Sequence, residues 1–294
     1  MSALPDVDPA PAASRSLWQD ALRRLRRNRA ALISATVLAV LILLVIVGPW
    51  LSPHDYATSD WDAILEPPSL ASGHPFGTDF LGRDVFVRVL VGGRISLLVG
   101  VVATLVSLLI GISYGAAAGY LGGRVDNVMM RVVDILYAMP FMFFVILLMV
   151  VFGRNILLIF VAIGAINWLD MARIVRGQTL ALREQEFVEA ARSFGVPAPT
   201  IIRRHIVPNL LGVVAVYVTL TIPSVILVES FLSFLGLGVQ EPQTSWGALV
   251  NDGAQQMQSA PWLLVFPAVF LAVTLFCFNF IGDGLRDALD PKQR

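Results

Sequence analysis

The fold class predicted for this 294-residue chain is an all-α membrane protein with six transmembrane helices. Three observations predict it. Hydrophobic residues make up 56% of the chain and charged residues only 14%, with a mean hydropathy of +0.75, against about 25% charged in a typical soluble domain. The apolar residues come in long runs, and about 20 of them are needed to cross a hydrocarbon core about 30 Å thick; residues 30–51, 95–118, 129–152, 155–172, 210–235 and 262–281 meet that length approximately. The basic residues are unevenly distributed: with the N-terminus in the cytoplasm, only Arg83, Arg88, Arg94 and Arg154 of the 21 fall outside, so both termini are expected to face the cytoplasm.

Taken in order, residues 1–29 form a cytoplasmic N-terminal region. Its first 16 residues, rich in Pro, Ala and Asp, are expected to be disordered. The stretch LWQDALRRLRRNR, 17–29, is expected to be a basic amphipathic helix on anionic lipid. The run at 30–51 starts too late, is too long and lacks the cleavage site of a signal peptide, so it reads as a retained first span. Residues 52–94 make an extracytoplasmic segment, 95–283 a five-helix core and 284–294 a cytoplasmic tail. In GTDFLGRD, 77–84, the charges suggest an Asp79–Arg83 or Arg83–Asp84 pair in a glycine-rich turn. SWGALVNDGAQQMQ reads as a segment along the outer interface, with Trp246 and Trp262 at headgroup level. Cys277 is the single cysteine and His54, His74 and His205 are scattered along the chain, so neither a disulfide nor a metal site is expected.

One cytoplasmic stretch departs from the apolar pattern: REQEFVEAARSFGVPAPTIIRRHIVPN, residues 183–209. Phe187, Ala190, Ala191 and Phe194 recur at helical spacing and predict one apolar stripe, with Gln185, Glu189 and Arg192 opposite. Gly195 provides a left-handed helix end, and Pro197 and Pro199 block continuation. Thr200 is then expected to cap a second helix that includes Arg203, Arg204 and His205 and stops before Pro208. The product is an elbow of two short helices around a stiff corner. By itself it reads equally as a surface connector or as a docking site for a partner.

The spacing EAA-x3-G-x12-P, formed by Glu189, Ala190, Ala191, Gly195 and Pro208, resembles the EAA loop of binding-protein-dependent ABC importer permeases. His205 departs from the aliphatic residue frequent in that family, but RHIVPN is similar to the dipeptide, oligopeptide and nickel branch. HPFGTDFLGRDVFVRVLVGGRISLLVG (74–100) and ESFLSFLGLGVQEPQTSWGALV (229–250) resemble that branch's C-type permease. The resemblance implies a type I ABC importer permease fold in the bacterial inner membrane. It also implies a coupling role for Phe187, Glu189, Ala190, Ala191, Arg192, Gly195, Arg203, Arg204, His205 and Pro208. The implied partners are a second related permease, two ABC ATPase subunits and an extracytoplasmic substrate-binding protein, with lipid around the helices and no nucleic acid. The implied solutes are dipeptides or oligopeptides, with nickel or a metal chelate as the alternative.

Polar residues within spans are functional candidates by default. Asp134 and Tyr137 in the third span, Asn167 and Trp168 in the fourth, and Glu229 after Pro223 in the fifth are open to two readings: helix–helix hydrogen bonding, or lining of a translocation path. No catalytic constellation is present, and a phosphate-binding loop needs Gly-Lys-Ser/Thr, whereas the one lysine, Lys292, lies between a proline and a glutamine. The chain is therefore expected to be a transport subunit without cofactor, with ATP and Mg bound by partner subunits. An ion-coupled secondary transporter, with Glu229 as its carboxylate, is the reading from another class.

Overall fold

The computed structural model describes residues 22–152 and 156–289; the N-terminal tail, residues 17–21 of the basic amphipathic segment, Arg154 and the last five residues lie outside them. From residue 29 onward the described residues form ten α-helices and one π turn, and some of the helices start at a side-chain cap. Helix α1, Arg29–Leu51, begins where Asn28 Oδ1 accepts the Ala31 amide at 3.2 Å. Helix α2, Val85–Leu121, is capped by Asp84, whose Oδ1 accepts the Val87 amide at 2.8 Å. Its 37 residues span about 55 Å, well beyond the lipid core.

The second span therefore starts ten residues before the predicted 95. The charged stretch reads as loop because Arg88 and Arg94 interrupt it, but both have partners within the protein. Arg88 is buried 3.4 Å from Asp79, and Arg94 donates to the carbonyls of Val45 and Ile46 at 2.8 and 2.5 Å.

The predicted third span, 129–152, is two helices: α3, Gly123–Ala138, and α4, Phe141–Phe152. Their axes differ by 84°. Pro140 removes a backbone donor and holds Met139 extended, at φ −76° and ψ 128°. Helix α5, Ile156–Arg183, carries the predicted fourth span. The short helices α6, Glu186–Ser193, and α7, Ala198–Ile201, lead through a π turn, Ile202–Ile206, into α8, Val207–Phe234. Helix α8 runs unbroken through Pro223. Helices α9, Trp246–Gln255, and α10, Trp262–Leu289, complete the order. Among the described residues four helical stretches are long and apolar enough to cross a membrane, and α3–α4 makes a fifth if the bent pair counts as one span.

The longest helix pairing is α2 against α5. Gly111, Gly115 and Gly119, one turn apart, face Met171, Ala172 and Thr179, so closely that a Cβ on Gly115 would collide with the Ala172 carbonyl. Lipid offers helices no hydrophobic drive to associate, so close backbone approach of this kind supplies the packing energy. One apolar core sits near this crossing, with Ala116, Met171, Val175, Ile201, Ile206 and Leu210. A second lies at the opposite end of α2, with Val45, Val89, Leu90, Trp246, Leu249 and Leu263. Outward faces carry Ile33, Val40 and Leu43 on α1, Val128 and Ile135 on α3, and Phe143 and Val150 on α4, as lipid contact requires.

Trp246 does not face lipid or water: it is fully buried, over Gly93, with Nε1 donating to the Val89 carbonyl at 2.9 Å. The absence of a side chain at Gly93 makes the seat for the indole. Trp262 is half-buried, with Nε1 3.3 Å from the Thr78 carbonyl.

Two alanine substitutions separate packing from helix propensity. Gly115→Ala is expected to destabilise the purified chain by about 1–3 kcal/mol through overpacking, read as a lower thermal midpoint in detergent. Gly177→Ala, whose new Cβ meets open space on α5, is expected to leave the midpoint unchanged or raise it.

Candidate functional site

The elbow of residues 183–209 is built on the end of α5. Gln185 is the N-cap of α6, and Val188 and Ala191 are its buried side chains, packed into the core formed by α2, α5 and α8. This corrects the predicted stripe. Phe187 and Phe194 are 42% and 87% exposed, and Ala190 is exposed as well. The face was misassigned because Val188 was not counted, and the aromatic side of this two-turn helix looks away from its own chain.

Helix α6 ends in a Schellman motif. The Val196 amide donates to the Ala191 carbonyl at 3.1 Å and the Gly195 amide to the Arg192 carbonyl at 2.9 Å, with Gly195 at φ +75°. Pro197 rather than Thr200 is the N-cap of α7, and Thr200 lies within that helix. The second helix does not stop before Pro208 either. A proline has no amide to offer its helix, and the preceding π turn accommodates this: the Val207 amide reaches back five residues to the Ile202 carbonyl. Arg203 and Arg204 are exposed and His205 half-buried on this turn, with the His205 ring 6.4 Å from Phe187. Arg192 lies 5.7 Å over the Tyr120 ring, which ties α6 to the end of α2. Among the described residues, Glu186, Glu189, Arg203 and Arg204 take part in no ion pair. The result is a knuckle with a buried apolar root and an exposed crest of two phenylalanines flanked by free charges of both signs.

The five candidate path residues do not converge. Asp134 and Tyr137 meet on Arg173, the carboxylate at 2.9 Å and the ring at 4.4 Å from the guanidinium carbon. Asn167 donates to the Ile163 carbonyl of its own helix at 2.9 Å, and Trp168 packs edge-on against Tyr114 at 5.0 Å. Glu229 is fully buried. It accepts from Ser233 at 2.7 Å and Ser96 at 3.2 Å; Ser96 in turn accepts the Trp246 amide at 3.2 Å, and Ser245 reaches Ser233 at 3.2 Å. Since Glu229 touches Ser96 and Trp168 touches Tyr114, the two groups are about 27 Å apart along α2.

Other charged groups were not singled out from the sequence. Arg176 binds Asp126 through two bonds of 2.5 and 2.6 Å across α5 and α3. At the other end of α2 the Asp79–Arg83 pair is present at 2.7 Å, and Glu241 joins it, 3.0 Å from Arg83. Asp84 is not Arg83's partner but His74's, at 2.9 Å. His54 and His74 are not scattered: their rings lie 4.4 Å apart. Only the spacing of Asp79 and Arg83 was visible locally; the other partners are distant in sequence.

Residues 107–294 match the profile of the family described as binding-protein-dependent transport system inner membrane component. Residues 16–68 match the N-terminal TM domain of oligopeptide transport permease C. The chain is 64% identical over 280 residues to the oligopeptide transport system permease protein OppC of Escherichia coli (strain K12), covering 95% of this chain and 93% of that protein. It is 61% identical over 280 residues to OppC of Haemophilus influenzae, covering 95% and 90%. It is 48% identical over 290 residues to the dipeptide transport system permease protein DppC of Bacillus subtilis, covering 98% and 90%. Among solved structures, a chain of the MetNI methionine ABC transporter in an inward-facing conformation shares the fold with a TM-score of 0.52 at 19% identity, over 69% of this chain and 96% of that one. With its apolar helices and these matches, the chain belongs to the binding-protein-dependent transport system inner membrane components, as a multi-pass permease subunit of the ABC importer class.

Proposed function

We propose that this permease takes up oligopeptides or dipeptides delivered by an extracytoplasmic binding protein, and that residues 186–208 couple it to separate ATPase subunits. The peptide assignment is supported by the extent of similarity to the oligopeptide and dipeptide permeases, which runs over nearly the whole chain. The coupling assignment is carried by one observation: the exposed crest of Phe187 and Phe194 stands on a root, Val188 and Ala191, that is locked into three other helices. An exposed phenylalanine beside unpaired charges is costly to leave in water and suited to a partner's cleft. Because the root is buried, a force applied to α6 is transmitted to α2, α5 and α8 rather than absorbed by a loose loop.

In this reading six spans cross the bilayer with both termini and the elbow on the cytoplasmic side. A second, related permease completes the pathway. ATP binding closes two partner ATPases and draws the two elbows together, and the helices then reorient around a path between the permeases. The chain itself supplies no phosphate-binding lysine motif. Glu229 acts as a structural junction between α2, α8 and the loop before α9, not as a solute ligand, because serines already occupy both its oxygens.

Three measurements test this. Glu189→Lys and Phe194→Ser are expected to insert normally but to lower ATPase co-purification and peptide uptake at least about tenfold, a hot-spot loss of at least about 1.4 kcal/mol; normal retention and uptake in both would refute coupling through the elbow. Uptake into proteoliposomes of the assembled transporter is expected to require ATP and to survive dissipation of the proton gradient, the reverse of what an ion-coupled carrier would show. Glu229→Ala is expected to lower stability by about 1–3 kcal/mol by stranding Ser96 and Ser233, measured by thermal unfolding in detergent. Glu229→Gln, which keeps two hydrogen-bonding atoms, is expected to retain most of the uptake.

A further inference from the structure

The segment between α1 and α2 brings two histidines and an aspartate together from three separate positions in sequence. His54 follows the end of α1, His74 lies in the loop, and Asp84 caps α2. One ligand atom from each lies within 4.8 Å of those of the other two. His74 Nδ1 is 2.9 Å from Asp84 Oδ2, close to the separation of about 3–3.5 Å between neighbouring ligands around a tetrahedral ion with bonds of about 2.0–2.2 Å. His54 completes the group: its ring is tilted 30° to that of His74 at 4.4 Å.

We propose that His54, His74 and Asp84 bind one divalent transition-metal ion of the zinc class. The donor set is two imidazoles and one carboxylate, which suits zinc, cobalt, nickel or copper and disfavours magnesium and calcium. Supporting contacts of the kind that orient metal ligands are in place. The Gly73 carbonyl lies 3.2 Å from His54 Nε2; with the proton held there, Nδ1 is the free lone pair. Asp84 Oδ1 is fixed by the Val87 amide at 2.8 Å, which leaves Oδ2 directed at the histidines.

His74 and Asp84 are buried while His54 is half-exposed; the ion would replace the proton shared by His74 Nδ1 and Asp84 Oδ2, opening that pair by about 0.5 Å, and the larger movement comes from the accessible His54. All three line a cleft of about 270 Å³ whose walls also carry Asp55 and Asp60. The cleft gives an entry path and a negative field for a cation, with room for water in the fourth position. Bound there, the ion would tie the exit of α1 to the cap of α2, at the end of the molecule opposite the elbow. This proposal does not rest on the transport reading.

The test uses the full-length permease purified in detergent through a histidine-free tag and stripped with a chelator. Zinc titrated by calorimetry is expected to bind at one equivalent per chain, and cobalt to give the visible absorption of a low-coordinate nitrogen–oxygen site. His54→Gln is expected to weaken zinc binding by more than about tenfold while leaving the thermal midpoint of the metal-free chain unchanged. His205→Gln, at the far end of the molecule, is expected to bind as the parent does. No binding by the parent, undiminished binding by His54→Gln, or equal competition by magnesium would each overturn the assignment.

Discussion

Three glycines spaced one turn apart let α2 lie with its backbone against that of α5, and the remaining helices are arranged around that pair. In lipid, where apolar side chains gain little by meeting one another, such close approach is what fixes a helix crossing. Among the described residues helix α2 is also the longest continuous rod, equalled by the α7-to-α8 stretch. Its cap Asp84 and first-turn Arg88 meet the histidine and the charge cluster of the preceding loop; its last turns pack Tyr120 against the root of the elbow. The two ends of the permease are therefore mechanically one piece along this helix, and the α5 contact decides how that piece is oriented.

The polar interior follows a consistent rule. Buried charges among the described residues have specific partners: Arg88 has Asp79, Asp126 has Arg176, and Glu229 has serines from α2 and α8. Each such group would be very costly alone in a low-dielectric interior. The polar residues read as path candidates each make a contact within this chain. Among the described residues the surfaces left without a partner in this chain include apolar faces on α1, α3, α4 and α10 and the crest of the elbow.

The spans were legible in the sequence because lipid imposes a length and an apolarity that few other environments do. The 30–51 and 262–281 runs correspond closely to α1 and α10. The departures have separate physical causes, and at the start of α2 the cause is that polar residues continue a helix instead of ending it. The first ten residues of α2 carry arginines that protein carbonyls and carboxylates satisfy, which no local pattern reveals. The break at Pro140 was underweighted because apolar residues continue on both sides of it. In the elbow, the glycine and prolines correctly marked a corner, and the Gly195 geometry followed from them. Which side of α6 is buried was not readable, because on so short a helix Val188 against the Phe187–Phe194 side is decided by the neighbouring α2, α5 and α8. The pairing of His54 with His74, like that of Arg83 with Glu241, joins residues whose proximity only the folded loop creates.

The π turn at Ile202–Ile206 carries a further consequence. A wide turn absorbs one surplus residue, so the angular phase of α7 is set independently of the phase of α8. The short α7 after the Gly195–Pro197 corner and the long apolar α8 are thus phased separately although one continuous helical rod carries both. On this plan the side chains that α7 presents can change register without rotating a single lipid-facing residue of α8 out of place.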